Sequence, residues 1–138
     1  MKSLIYRKMR WFQIAVLAIV VTLAAPAVFA ANDPTIKGAL RENIKTSMLN
    51  YIETRMVNGT FYIYDAVEGK LLSLKLDKLH EGIVKKGNFY VSCADFFDEN
   101  GTKIDLDFLV VEDGNQLKTI QAVVHSVDGK KRKYHLES

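Results

Sequence analysis

Asp105 and Asp107 lie two residues apart in the segment IDLDFLV, and His125 lies in a later segment, QAVVHSV. In an extended chain, successive side chains point to opposite sides, so residues i and i+2 share a face. Two carboxylates and an imidazole on one face supply the oxygen and nitrogen donors that suit a divalent metal ion. The same groups suit acid–base chemistry. A solvated sheet face that carries charge to discourage edge association has the same composition. Asp105, Asp107 and His125 are therefore the metal-ligating candidates, and Asp95 and Gln121 join them as candidates for ligand binding. No residue is assigned a catalytic role, no cofactor motif is present, and the reading leans away from an enzyme.

Two further residue types could do chemistry. Cys93, the single cysteine, would need a base within hydrogen-bond reach to act as a nucleophile, and the faces derived next separate it from His125. Burial is the expectation for such a thiol. His80, in KLHEG, reads as a solvated loop histidine, and the basic cluster GKKRK at 129–133 reads as a solvated hairpin tip.

Turn parity sorts the faces. The turn DENG at 98–101 closes a hairpin. A turn of two or four residues places Val91, Cys93 and Asp95 with Ile104, Leu106 and Phe108, toward a covering helix. Ser92, Ala94 and Phe96 then share the open face with Asp105 and Asp107. At Asp113-Gly114, a three-residue loop pairs Phe108 with Ile120, Leu106 with Ala122 and Ile104 with Val124. That register sets apolar on apolar, whereas a one-residue slip would exchange the faces. Gln121, Val123 and His125 then join Asp105 and Asp107. Asp95, on the helix side, lies near the sheet edge, pairs with a lysine, or marks a pocket between helix and sheet.

The elements that must carry these residues follow from periodicity. Residues 32–59 predict one amphipathic helix, with Asp33 as cap, Pro34 at the first helical position and Asn58-Gly59 as the stop. Its stripe is Ile36, Leu40, Ile44, Met48, Tyr51 and Ile52. After Gly59 the period changes to two. Strands are predicted over 60–66, 71–77, 88–97, 103–111 and 116–127, with a short closing strand in RKYHLE and a polar connection over 78–87. A sheet with one greasy face must cover it, and the helix stripe is the partner at hand. The expected class is α+β: one long N-terminal helix packed on a curved four- to five-stranded antiparallel meander.

Before this domain stands a leader. Lys2, Arg7, Lys8 and Arg10 precede the apolar run from Phe12 to Leu23, and Pro26 and small residues follow. These are the three parts of a secretory signal peptide, 1–30, with cleavage expected after Ala30. Residues 31–138 then form a single domain in the periplasm or outside the cell, and the leader is the only membrane contact if it is not removed. Without the leader, 15 basic and 16 acidic residues remain. The basic balance thus belongs to the leader, which argues against nucleic-acid binding. A single cysteine leaves the domain to be held by its hydrophobic core.

One helix followed by a meander resembles the cystatin-like layout shared by cystatins and the nuclear-transport-factor-2-like group, and also the PepSY-type layout. The segments YVSCADFFDENGTKIDLDFLV and VVHSVDGKKRKYHLE look like those of small exported bacterial proteins of uncharacterised function. The resemblance implies a periplasmic setting and no activity, since the cystatin inhibitory motif QxVxG is absent. The leading expectation is an exported, non-catalytic binding or interaction domain, without a cofactor, whose partner is a small molecule or an envelope protein. A metal-binding protein or small metal-dependent enzyme on the open sheet face is the second. The third is an envelope structural partner that pairs by its edge strand. A homodimer is compatible with each.

Overall fold

A computed structural model describes residues 31–134. The expected signal segment 1–30 and the end of the predicted RKYHLE strand lie outside the described residues. The architecture corrects the expected one. Seven antiparallel strands run in sequence order across one sheet, and a single 16-residue helix packs on it. The elements are α1 (Gly38–Glu53), β1 (Met56–Val57), β2 (Thr60–Asp65), β3 (Lys70–Lys86), β4 (Phe89–Asp98), β5 (Lys103–Asp113), β6 (Gln116–Val127) and β7 (Lys130–Lys131).

The helix is shorter at both ends than 32–59, for local reasons. The Asp33 carboxylate accepts from the Thr35 amide at 2.9 Å and the Thr35 hydroxyl at 2.7 Å, which closes a separate turn. Gly38, at φ +58°, then redirects the chain into the helix. At the other end Asn58 and Gly59 both have positive φ, and they form the two-residue turn that joins Val57 to Thr60 across β1 and β2. The Asn-Gly signal belongs to a hairpin and not to a helix stop.

The polar connection predicted over 78–87 is also corrected. It is the second half of β3, which turns directly into β4, with Lys86 opposite Phe89. Two irregularities conceal its period of two. One lies between Leu76 and Lys78. At the other, β3 advances from Leu79 to Ile83 while β4 advances only from Ala94 to Ser92.

The core lies between α1 and one sheet face. Ile44, Met48 and Ile52 of the helix meet Phe61, Leu74, Phe96, Leu106, Phe108 and Val110, all buried. Phe96 stacks on Phe61 at 5.6 Å and lies 6.3 Å from Phe108, and Tyr51 meets Phe108 edge-on at 6.0 Å. These separations lie within the range preferred by aromatic pairs. Ser47 fixes the helix to β6 by accepting from the Thr119 amide at 2.7 Å. The meander curls until Arg132, just after β7, reaches Asp65 and Glu68 at the end of β2. The GKKRK segment is the exposed end of the β6–β7 hairpin, where Lys130 and Lys131 pair with Val127 and Ser126, but Arg132 turns inward to an ion pair with Asp65.

Candidate functional site

The β4–β5 hairpin decides which residues meet. The Asp98 amide donates to the Thr102 carbonyl at 3.0 Å, enclosing a three-residue loop, and the Gly101 amide donates to the Asp98 carbonyl at 3.0 Å. Gly101 adopts φ +77°, the left-handed position that such a loop requires. The Asp98 carboxylate accepts from the Asn100 and Thr102 amides at 2.9 and 2.8 Å and holds the loop closed. An odd loop reverses the face assignment made for an even one. Cys93 stands opposite Asp107 and Asp95 opposite Asp105, while Ala94 pairs with Leu106 and Phe96 with Ile104. Cys93 and Asp95 therefore lie on the carboxylate side, and Ala94 and Phe96 face the helix.

On the other flank β6 departs from the expected register. Asp113 pairs with Gln116, so the turn has two residues and not three. Two bulges follow, which make Ile120 and His125 the extra residues on β6. Phe108 consequently pairs with Ala122, Leu106 with Val124 and Ile104 with Val127. The bulge at His125 accompanies a side chain turned to the carboxylates: its Nδ1 lies 2.8 Å from Asp107 Oδ1 and 3.8 Å from Asp105 Oδ2.

The face read as open and solvated is buried at its centre. Cys93 and Asp107 are each 1% exposed. The Cys93 thiol donates to Asp107 Oδ1 at 2.9 Å, the same oxygen that contacts His125. Tyr134, beyond β7, is close enough for the charges of Asp107 and Asp105 to act on it. Burial, then Asp107, pushes its phenol above the ordinary range. Asp107 Oδ2, Asp105 Oδ1 and the Tyr134 hydroxyl are buried with no hydrogen-bond partner among the described residues. A buried carboxylate oxygen without a donor is costly, and it is also where a cation would bind.

A second arm starts from Asp95. His80, placed on β3 by the irregular stretch and not in a loop, puts Nε2 3.0 Å from Asp95 Oδ1. Lys103 lies 2.8 Å from Asp95 Oδ2, and Lys78 lies 3.8 Å away. Burial raises the Asp95 carboxyl, but Lys103 and His80 outweigh it and hold the group below the usual carboxylate range. The hydrogen bond to Asp95 in turn raises Lys103.

Of the metal-ligating candidates, His125 lies 2.8 Å from Asp107 and 3.8 Å from Asp105; Asp107 and His125 fall in one ligand set and Asp105 in another. Asp95 adjoins them through His80. Gln121 is exposed, opposite Leu109, and takes no part. Sequence reasoning missed Cys93 and His80 as members. Two sets of ligand atoms lie within 4.8 Å of one another, Cys93 with Asp107 and His125, and His80 with Cys93 and Asp105; Cys93 belongs to both and His80 to the second. A cleft of about 1050 Å³ lies elsewhere, between α1 and the β5–β6 hairpin, and Asp95 does not line it.

Burial pushes the Asp105 carboxyl up from 3.8 to about 6, against the opposing pull of His80 and His125. Without metal, the folded chain thus keeps a proton on Asp105 up to about pH 6 that the unfolded chain releases near 3.8. At this group the folded state is the more protonated one in that window, so the contribution of Asp105 to stability falls as pH rises from about 4 to about 6 and stays lower above it. Asp105→Asn removes this dependence. At pH 7 the metal-free variant should be more stable than the parent by about 2–3 kcal/mol, and the gap should close below about pH 4. Urea unfolding at several pH values measures it; a gap that does not change with pH would contradict the account.

The order of groups bears on the chemistry. A thiol nucleophile needs an imidazole against its sulfur and a carboxylate behind the imidazole. Here one oxygen of Asp107 accepts from Cys93 and also contacts His125, and the ligand atoms of all three lie within 4.8 Å of one another. Such a set can act as ligands around a centre. No family model matches this chain, and neither a curated protein nor a solved structure shows significant similarity to it.

Proposed function

We propose that this chain is an exported, non-catalytic binding protein for a divalent transition-metal ion, held first by Cys93, Asp107 and His125. The observation that carries the reading is the buried convergence of thiol, carboxylate and imidazole on one point. A thiolate with an imidazole and a carboxylate suits zinc and its borderline neighbours better than calcium or magnesium, which take all-oxygen shells. The short contacts at Asp107 are bridged by protons in the metal-free state. An ion would displace them, because thiolate and neutral imidazole are the ligating forms, and binding would release protons. The basic start, apolar run and small-residue end of the leader support export. N-terminal sequencing of the exported form should then begin at Ala31, and an intact leader would refute cleavage.

Calorimetry on reduced, metal-stripped protein with zinc, nickel and copper tests the ligand. Saturable binding with proton release is expected. No saturable binding, or binding unchanged in His125→Ala, would overturn the proposal.

A further inference from the structure

We infer that the site accommodates two metal ions that share the Cys93 sulfur, with a second position formed by His80, Cys93 and Asp105. The inference rests on the metal-binding reading and extends it. The two convergent sets have only Cys93 in common. Their histidines come from opposite neighbours of the β4–β5 pair, His80 from β3 and His125 from β6. Their carboxylates, Asp105 and Asp107, stand two apart on β5 and face the same side, each opposite a residue of the set on β4 or its neighbour Asp95. A thiolate sulfur has lone pairs enough to bridge two ions, which neither imidazole can do through one nitrogen.

The surroundings treat the two positions differently. Cys93, Asp107 and His125 are all buried, so the first position is closed in the manner of a structural metal site. The side chains of His80 and Asp105 are 21% and 17% exposed, so the second position opens toward solvent. Asp95 is placed to orient His80, a carboxylate behind a ligating imidazole, and is itself held by Lys103. Charge points the same way. Cys93, Asp105 and Asp107 bring three negative charges when deprotonated. One divalent ion leaves a buried negative charge, and Asp105 Oδ1 remains without a partner. Two ions satisfy every carboxylate and leave one positive charge, which a hydroxide or small anion at the open position of the second ion completes.

Native mass spectrometry and elemental analysis of the full chain, reduced and loaded with zinc, read the stoichiometry directly. Two zinc ions per chain are expected, falling to one in His80→Ala and in the milder His80→Gln. With cobalt, the thiolate-to-metal absorption should persist in both variants, which shows that the first position is intact. One ion per chain in the parent overturns the second position while the metal-binding reading stands. Two ions in the parent and still two in both His80 variants overturn its assignment to His80. No bound zinc in the parent removes the metal-binding reading and this inference together. Since the parent's stoichiometry decides the main point, a variant that fails to fold does not rescue it.

Discussion

Cys93→Ser weakens zinc binding by about a hundredfold or more. Loss of a single residue that only orients a ligand already costs about 10–100-fold, and here the ligand itself is lost. The serine hydroxyl is a hard, weakly acidic donor, whereas a coordinating thiol is deprotonated outright. Serine is nearly isosteric and can still donate to Asp107 where Cys93 does now, so the metal-free fold should persist. That separates a ligand role from a packing role. Zinc at about a hundred times Kd stabilises the parent by about 2.7 kcal/mol, which for a domain of this size is a rise of roughly 10 °C or more in Tm. The Cys93→Ser protein at the same zinc concentration should show little or no rise. Gln121→Ala, exposed and away from the cluster, should match the parent. Equal zinc-induced shifts in Cys93→Ser and the parent would remove the thiolate from the site.

Phe108→Ala destabilises the metal-free domain by about 3–5 kcal/mol. Phe108 is wholly buried at the junction of sheet and helix, with Tyr51 of α1 edge-on to it and Phe96 beside it. Truncation leaves a cavity that three elements would have to collapse together to fill. Domains of this size hold about 5–15 kcal/mol in total, so the variant should unfold at markedly lower denaturant, with the slope of the transition little changed. Tyr64→Ala, on an exposed position of β2, should shift stability by only about 0.5 kcal/mol. A Phe108→Ala cost under about 1 kcal/mol would mean that the helix does not press on this ring.

The alternation of Ile104, Leu106 and Phe108 against Asp105 and Asp107 was legible because β5 has one greasy and one polar side. The helix stripe was legible for the same reason, and Ile44, Met48 and Ile52 are its buried centre. Where the period broke, legibility failed. The second half of β3 looked like a polar connection because its irregular pairing shifts residues off a strict alternation. At the β4–β5 hairpin turn length alone does not fix the face; apolar pairing does, since Phe96 against Ile104 and Ala94 against Leu106 selects the odd loop. Gly101 in the left-handed position of DENGT carried the same signal.

The sequence by itself determined the residue types of the site, the places of β2, β4, β5 and β6, and the position of Asp105 and Asp107 on one side of β5. These are local properties, set by side-chain alternation and turn residues within a few positions. Only the tertiary structure decided that Cys93 and His80 belong to the cluster and that Cys93, Asp107 and His125 are buried. Membership there depends on loop parity and on bulges, where one residue more or less sends a whole strand's side chains to the other face, and on a sheet curled far enough to bring Arg132 to Asp65.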